Sequence, residues 1–295
     1  MKLSSMFTLK KILNFCLNSN KTTEPPLMAV FTNPIVYCLI ESIVKLITLN
    51  IWEGEIYQPL VDFFNRHKNE TDIFCFQEMF KSEKGIRNLS SEKIITFNNL
   101  KEILPDFNGY FKDYIAPGEY NKEGLAIFVG KDVEVKDSGE IFIYNPPNIG
   151  LSNDNPKSLW RNLQYVRCDL NGKEFLVANM HGLFDLATKS HKNDTPERIE
   201  QSQKVKAFLD KFDCPKILCG DFNLWPDTKA LKILEEGMRN LIKEYNVTST
   251  RSAFFNFPNR FADYMLVSSD IKVNDFKVLD ETVSDHLALY LDFSL

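Results

Sequence analysis

Polar residues of the kinds that bind metals or transfer protons stand beside five short apolar runs of the chain. They are Asn50 ending run 46–50, Gln77-Glu78 ending run 72–77, Asn179 and His181 ending run 174–179, Asp221 and Asn223 after run 216–219, and Asp285-His286 before run 288–293. Ligand and catalytic sites of open α/β sheets lie at strand ends. We therefore expect these five positions to converge on one site.

The chemistry that suits this set is catalysis with a metal ion bound through oxygen. Glu78 and Asp285 offer the hard carboxylate oxygens that Mg²⁺ requires, with water and phosphate oxygens completing an octahedron. A zinc site would need more His or Cys at close spacing, and a serine hydrolase would need a G-x-S-x-G elbow. The sequence contains neither pattern. It favours Mg²⁺ as the cofactor, with Mn²⁺ as a substitute.

Each of these residues, taken singly, also has a purely structural interpretation. A Glu at a strand end is more often a solvated surface group. Asn50, Asp221 and Asn223 could each close a backbone turn, and His181 or His286 alone would more often be a satisfied core histidine. Only their joint occurrence favours a catalytic site.

The bulk composition restricts the partners only weakly. The 295 residues carry a net charge of −5 and a pI near 5.5, which argues against non-specific electrostatic binding of a long polyanion. It does not exclude a nuclease, because a local basic rim can steer an acidic protein. The six cysteines show no C-x-x-C spacing, so a reduced, cytoplasmic setting is the simplest expectation.

Residues 1–45 are expected to form an N-terminal extension of uncertain order, partly helical over 34–45. The apolar run 29–51 is interrupted by Asn33-Pro34, Glu41 and Lys45. It therefore lacks the roughly 18 uncharged apolar residues of a membrane span. The sequence predicts no stable membrane span and leaves the oligomeric state open.

After residue 46, short β-rich runs alternate with helical stretches, which predicts an α/β fold. The predicted strands are 46–50, 72–77, 125–129, 163–168, 174–179, 216–219, 264–267 and 288–293. The predicted helices are 56–68, 195–212, 228–236 and 239–245, the second of which starts with the capping pair Thr195-Pro196.

Six motifs in a fixed order carry a family resemblance. They are Thr48-Leu-Asn50, Phe76-Gln77-Glu78, Asn179-Met-His181, Gly220-Asp221-Phe222-Asn223, Asp263-Tyr264 and Ser284-Asp285-His286. Over residues 46–295 the chain resembles the endonuclease/exonuclease/phosphatase superfamily, in its deoxyribonuclease-like branch with a second histidine. The resemblance implies a catalytic domain over 46–295. Its fold would be a four-layered α/β sandwich of two packed mixed β-sheets flanked by helices.

The resemblance also implies roles at the metal and water side of the site. Asn50, Glu78 and Asp285 would hold the metal ion. Asp221 would orient or deprotonate the attacking water, and Asn223 would hold a phosphate oxygen.

The same resemblance assigns the histidines. His286 would donate to the phosphoryl group, oriented by Asp263, and His181 would pair with Glu123. We expect neighbouring carboxylates to keep both imidazoles charged at neutral pH, since a nearby negative charge favours the protonated form.

Two departures from the family's patterns narrow the class of enzyme. Trp52 stands where AP endonucleases carry an Asp, and His181 stands where they use a Tyr. The 5-phosphatases carry a W-C-D-R-type stretch where this chain has Phe261-Ala-Asp263-Tyr264. Both classes are disfavoured.

Two segments are expected beside the site, 182–194 and 248–261. The second contains Arg251 and Arg260, which we predict to bind substrate, interleaved with four phenylalanines. Aromatic rings beside arginines suit nucleotide stacking, although phenylalanines more often pack inward. In the first segment, Lys189 and Lys192 are expected to lie in a solvated loop.

The leading hypothesis is a Mg²⁺-dependent nuclease or phosphodiesterase acting on nucleic-acid ends, with a nucleic acid or nucleotide-containing end as the phosphoester partner. A lipid or small-molecule phosphodiesterase of the sphingomyelinase type is the enzymatic alternative. A non-catalytic binding protein on the same fold is the third. The intact set of Glu78, Asp221, Asn223, Asp285 and His286 argues against the third.

Overall fold

The computed structural model describes residues 42–82, 93–113, 122–144, 161–184, 192–258 and 260–295. The strands in these ranges are β1 Ile43–Asn50, β2 Ile73–Lys81, β3 Phe107–Asp113, β4 Lys122–Gly130, β5 Glu134–Tyr144, β6 Arg161–Leu170, β7 Lys173–His181, β8 Lys216–Asp221, β9 Met238–Asn240, β10 Asp263–Ser268, β11 Lys272–Val278 and β12 Leu289–Ser294. The helices are α1 Tyr57–His67, α2 Phe97–Ile103, α3 Pro196–Leu209, α4 Lys229–Glu235 and α5 Leu241–Glu244, with a 3₁₀ turn at Trp52–Gly54.

The strands form two six-stranded sheets. The order in the first sheet is β11-β12-β1-β2-β4-β3, and the order in the second is β5-β6-β7-β8-β10-β9. Each sheet is mixed, because it contains one parallel pair, β1 with β2 or β7 with β8, among antiparallel neighbours. Each parallel pair is joined through a helix, α1 or α3, as parallel strands require.

Alternation of side chains along β2 separates two apolar layers. Ile73 and Cys75 belong to the core that also contains the residues of the second sheet. Phe74 and Phe76 face the opposite way, where Phe64 of α1 lies 6.1 and 5.3 Å from their ring centres. The first sheet therefore has the second sheet on one face and helices α1 and α2 on the other.

Helices α3, α4 and α5 cover the second sheet. They bury Val205, Leu231 and Leu241, among others, in the same core. The resulting order of helices, sheet, sheet and helices confirms the expected four-layered α/β sandwich.

A polar link joins the two sheets below the ends of the parallel strands. The Gln77 amide of the first sheet donates to Asn179 Oδ1 of the second at 2.7 Å and to Thr48 Oγ1 at 3.1 Å. Asn179 in turn donates to the main-chain oxygens of Phe76 and Ala126. Because buried polar groups are costly unless paired, this link fixes how the sheets align near the candidate site.

All eight predicted strands are present, and the four strands that the sequence did not predict are β3, β5, β9 and β11. Helix α2 was also not predicted. The predicted helix 239–245 is wrong at its start, because residues 239 and 240 pair with β10 and belong to β9. The helix begins at Leu241, where Asn240 Oδ1 accepts from the amides of Ile242 and Lys243.

The N-terminal boundary also differs from the expectation. Strand β1 begins at Ile43, which pairs with Ser294 of the antiparallel strand β12. The helix predicted over 34–45 is therefore wrong for residues 43–45. The rest of that prediction, and most of the extension 1–45, lie outside the described residues. None of the helices in the described ranges is long and apolar enough to cross a membrane.

Candidate active site

The carboxyl ends of the two parallel pairs meet at one edge of the sandwich. Strand β1 ends at Asn50, which lies opposite Gln77 of β2, and β7 ends at His181, opposite Asp221 of β8. Asp263 begins β10 directly beside Asp221, and Asp285-His286 lie just before β12. The expected convergence of the strand ends on one site is what the fold produces.

Irregular backbone aims two of these side chains into the site. Glu78 sits where the register between β2 and β4 shifts, and its φ of 56° lies in the left-handed region. Asn223, two residues after Asp221, has a φ of 52°. Asparagine adopts this conformation readily, but for Glu78 it costs about 1–3 kcal/mol, and strain of this kind clusters at functional sites.

The converging residues open into a cleft of about 370 Å³. Its lining residues are Trp52, Glu53, Glu78, Glu123, Arg161, His181, Phe184, Asp221, Asn223, Arg251, Phe255, Asp285 and His286. Acidic residues thus share the cleft with two arginines and two histidines, a mixture suited to binding an anion beside a cation.

Asp263 and His286 form a buried pair at the base of the cleft. His286 Nδ1 lies 2.8 and 2.9 Å from the two carboxylate oxygens of Asp263. Burial and Arg251 both lower the pKa of His286, but the carboxylates of Asp263 and Asp285 outweigh them and leave it above its ordinary value. His286 therefore holds a proton on Nδ1 and presents Nε2 to the cleft.

Asp221 lies between the two histidines. Its Oδ2 is 3.6 Å from His286 Nε2 and 3.8 Å from His181 Nε2, and it accepts from the Asn50 amide at 3.2 Å. Its Oδ1 accepts from the Asn223 main-chain amide at 2.9 Å. Burial alone would raise the pKa of Asp221, but the surrounding positive charge, His286 foremost, holds it well below the usual range.

Glu78 behaves in the opposite way. Its Oε1 accepts from Asn50 at 2.9 Å and lies 3.9 Å from His181 Nε2. Burial, together with the negative charges of Glu123 and Asp285, raises the pKa of Glu78 to about 8. Because burial and neighbouring negative charges disfavour its ionised form, the Glu78 carboxylate would be stabilised strongly by a bound cation.

The expectation that both imidazoles are charged is wrong for His181. Burial is the largest cause, and with the nearby guanidinium of Arg161 it lowers the pKa of His181 to about 3, although Asp221 opposes the shift. His181 is therefore neutral, and only His286 has the raised pKa that was expected. Glu123 lines the cleft beside Glu78, and its pairing with His181 stays a prediction.

The two predicted substrate-binding arginines lie in different places. Arg251 Nη1 lies 2.6 Å from Asp285 Oδ2 and 2.5 Å from His286 Nε2, and its guanidinium stacks over the Phe255 ring at 4.3 Å. Arg260 is exposed, donates to the Phe255 main-chain oxygen and is not part of the cleft lining. Geometry supports a substrate-binding role for Arg251 and gives no such support for Arg260.

Two further cations near the site were not identified from the sequence. Arg161 lines the cleft and donates to the Gly182 main-chain oxygen at 3.2 Å. Lys192 was expected in a solvated loop but is only 4% exposed, donates to the Phe261 main-chain oxygen and has its pKa lowered to about 8 by burial. Neither stands in a local motif, and only the fold brings Arg161 to the cleft and Lys192 near the carboxylates of Asp221, Asp263 and Asp285.

Two sets of residues could hold a metal ion. Asp221, Asp263 and His286 are buried with ligand atoms within 4.8 Å of one another, but the Asp263–His286 hydrogen bonds already occupy this group. Glu78 accepts from Asn50 through Oε1 and Asp285 is paired with Arg251 through Oδ2, and each carboxylate has a second hard oxygen that could bind a metal ion. Asn50 presents its amide nitrogen to Glu78 and Asp221, while its oxygen accepts from the Trp52 amide at 3.0 Å, so ligation by Asn50 would require its amide to rotate.

The fold is shared with solved structures of low sequence identity. An endonuclease/exonuclease/phosphatase family protein from Bacteroides thetaiotaomicron is 20% identical, with a TM-score of 0.64, over 86% of this chain and 98% of that one. A mannosyl-6-phosphatase from B. thetaiotaomicron VPI-5482 is 18% identical, with a TM-score of 0.64, over 85% and 100%. The human Nocturnin catalytic domain with bound sulfate is 17% identical, with a TM-score of 0.60, over 85% and 93%.

The sequence itself identifies the family. No curated protein sequence matches the chain significantly. The sequence model of the Endonuclease/Exonuclease/phosphatase family, in contrast, matches residues 47–286, most of the chain and every motif that suggested the resemblance. The chain therefore belongs to the endonuclease/exonuclease/phosphatase family.

Proposed function

We propose that this protein is a Mg²⁺-dependent phosphodiesterase that acts on a nucleic acid or a nucleotide-containing end by in-line attack of water. The observation that carries the proposal is the position of Asp221, an ionised carboxylate between two imidazoles and within hydrogen-bond distance of Asn50. An acceptor at this point can orient a water molecule toward phosphorus. Efficient general bases have pKa values near the working pH, whereas the pKa of Asp221 is lowered. Asp221 is therefore better suited to orienting the water molecule than to accepting a proton from it.

The cleft carries charges of both signs, which suits a phosphoryl group bound beside a cation. Glu53, Glu78 and Glu123 line it together with Arg161 and Arg251. Members of the family generally depend on a divalent metal ion, and Glu78 and Asp285 have the oxygen chemistry to hold Mg²⁺ or Mn²⁺. When bound, such an ion would neutralise charge that develops on the phosphate oxygens.

His286 is the proposed hydrogen-bond donor to a phosphoryl oxygen. Because Asp263 fixes Nδ1, the donor is Nε2, which faces the cleft. In the structure Arg251 lies against Nε2, and a guanidinium can hydrogen-bond there only to an unprotonated nitrogen. Protonation of His286 therefore requires Arg251 to move away. A phosphate oxygen would draw it off, since arginine forms strong paired hydrogen bonds with phosphate.

Asn223 and His181 complete the proposed set. The Asn223 side chain donates to the Gly182 main-chain oxygen at 3.3 Å, a weak contact that it could exchange for a phosphate oxygen. Neutral His181 can donate one hydrogen bond without adding a charge. We assign both to binding of phosphate oxygens.

A small phosphate ester is the second candidate substrate. A cleft of about 370 Å³ holds a molecule of modest size, and the net charge of −5 does not favour a long polyanion. One structural neighbour is named as a mannosyl-6-phosphatase.

A reduced, cytoplasmic setting is also proposed, in keeping with the free thiols of Cys75, Cys168, Cys214 and Cys219.

The test is a panel of substrates assayed with Mg²⁺ or Mn²⁺. Single- and double-stranded DNA, RNA, 5′-tyrosyl ends, sphingomyelin, sugar phosphates and bis-p-nitrophenyl phosphate would be compared, with Asp221→Asn as the site variant and exposed Asp275→Asn as the matched control. We expect hydrolysis by the wild type and the control, and a loss of at least about 10³-fold in Asp221→Asn or in excess EDTA. Full activity in either of the last two would contradict the proposal.

A further inference from the structure

Exposed aromatic side chains gather at one side of the cleft. Among the described residues, five large hydrophobic side chains are exposed, and three of them lie here: Trp52 at 37%, Phe254 at 47% and Phe257 at 64%. We call Trp52, Phe254, Phe255 and Phe257 the aromatic rim. Exposed apolar groups that cluster, unlike scattered ones, mark a binding surface.

The rim reaches from the protein surface into the cleft. The ring centres of Trp52 and Phe254 lie 6.1 Å apart, and those of Phe255 and Phe257 lie 5.4 Å apart. Trp52 and Phe255 also line the cleft, and Phe255 already carries the flat guanidinium of Arg251 on its face. A substrate whose phosphate meets Arg251 would therefore have its neighbouring group against these rings.

The backbone holds the rim in place against the catalytic segment. Trp52 and Glu53 have positive φ angles of 51° and 55°, which are costly in residues other than glycine, and Gly54 continues the turn at 74°. On the other side, the Ser252 amide donates to the Asp285 main-chain oxygen at 3.0 Å, and Ser252 Oγ accepts from the Phe254 amide. The rings are thus presented at fixed positions relative to the proposed catalytic residues.

We propose that the aromatic rim binds the planar base of a nucleotide next to the scissile phosphate, and so selects short or single-stranded nucleotide substrates over phosphate esters without a base. The inference rests on the proposed function and names the substrate class of that site. Stacking of a base on an aromatic ring contributes substantially to affinity and tolerates any base sequence. A paired duplex would keep its bases stacked inside and could not use the rim.

Charge near the rim favours a base over a membrane surface. Glu53 stands beside Trp52, and the two arginines that contact Phe255, Arg251 and Arg260, are fewer than the clusters of about four to eight lysines or arginines that attach proteins to anionic lipid. Flat rings also suit stacking, for which a leucine of similar hydrophobicity would not serve. Insertion of the rim into lipid is the competing outcome that the test below separates.

The test replaces rings by leucine, which keeps the apolar surface and removes the stacking face. Trp52→Leu and Phe254→Leu would be compared with Tyr245→Leu, which removes an exposed ring that contacts Phe276 and is not part of the cleft lining. The substrates are a 5′-phosphorylated dinucleotide and the same molecule in which the base next to the scissile phosphate is replaced by hydrogen. We expect the ratio of kcat/KM between the two substrates to fall about tenfold in each rim variant and to stay unchanged in Tyr245→Leu.

A binding measurement gives an independent readout. Adenosine monophosphate should quench tryptophan fluorescence in the wild type, ribose 5-phosphate should not, and the quenching should be lost in Trp52→Phe. Equal kcat/KM for the two substrates, or rim variants with an unaltered ratio, would overturn the inference while leaving the phosphodiesterase proposal intact. Liposome binding that survives the leucine variants, without base discrimination, would assign the rim to lipid instead. Inactivity on every substrate would count against the proposed function, while the quenching still decides whether the rim binds a base.

Discussion

His286 donates from Nδ1 to the carboxylate of Asp263, whose two oxygens lie 2.8 and 2.9 Å away. On the other side of the ring, Nε2 lies 3.6 Å from Asp221 Oδ2. The imidazole is therefore held between the carboxylate of Asp263, which fixes its orientation, and that of Asp221, which we propose to orient the attacking water. The two carboxylates are coupled through this one ring.

Asp263→Asn should lower both the activity and the pH at which it declines. The charge of Asp263 helps to raise the pKa of His286 against burial and Arg251, so the protonated donor persists to higher pH than in an ordinary histidine. Removing that charge lowers the pKa of His286. We expect kcat to fall by about 10²-fold and the alkaline limb of the kcat–pH profile to move to lower pH. An unmoved limb, with Asp275→Asn as the surface control, would contradict this role.

Metal binding should release a proton from Glu78. Without a cation, burial and the neighbouring carboxylates raise the pKa of Glu78 to about 8, so at neutral pH the ion must displace a proton from its ligand. We expect the apparent Mg²⁺ affinity to rise with pH, by up to about tenfold per unit, and to level off above pH 8. Calorimetry in buffers of different ionisation enthalpy would count the proton. Glu78→Gln should bind more weakly and lose this pH dependence; the same slope in that variant would assign the proton to another group.

The strands that the sequence predicted are the eight central ones, and the four it did not predict are the four edges of the two sheets. Central strands such as β2 and β8 are covered on both faces and appear as continuous apolar runs. Edge strands β5 and β11 carry Lys, Asp and Glu on exposed positions. Charged edge strands protect a sheet from pairing with another chain. The same charged residues interrupt the apolar pattern from which a strand is predicted.

The site divides along a similar line. Asn50, His181 and Asp221 end apolar strands, and Glu78 directly follows the apolar run of β2, so their positions could be predicted from local pattern alone. Arg161 could not, because it stands at the start of β6 and reaches the cleft only through the packing of the two sheets. The charge states could not be predicted either, since they depend on burial and on neighbours distant in the sequence.

Glu78→Gln should stabilise the protein when no metal is bound. The folded-state pKa of Glu78, about 8, lies above the ordinary value of 4.5. Its protonated form therefore contributes stability that is fully present below pH 4.5 and is lost as the pH rises through 8. In EDTA at pH 9 we expect Tm of Glu78→Gln to exceed that of the wild type by about 3 °C or more, and the difference to vanish near pH 5. Exposed Glu134→Gln is the control, and a wild type as stable as the variant at pH 9 would contradict the burial of an uncompensated charge.

Gln77→Leu should destabilise the fold, although Gln77 itself does not line the cleft. The change removes the donor to Asn179 Oδ1 and Thr48 Oγ1 between the sheets and leaves the Asn179 oxygen buried without that partner. Leaving a buried acceptor unpaired costs about 1–3 kcal/mol, but the change also removes Gln77 Oε1, which is buried without a partner, so we expect a net loss of about 1 kcal/mol in urea unfolding. Thr48→Val, which removes only the 3.1 Å contact, should lose less. If the two variants were equally stable, the bridge to Asn179 would contribute nothing, and the alignment of the sheets at the site would have to rest on apolar packing alone.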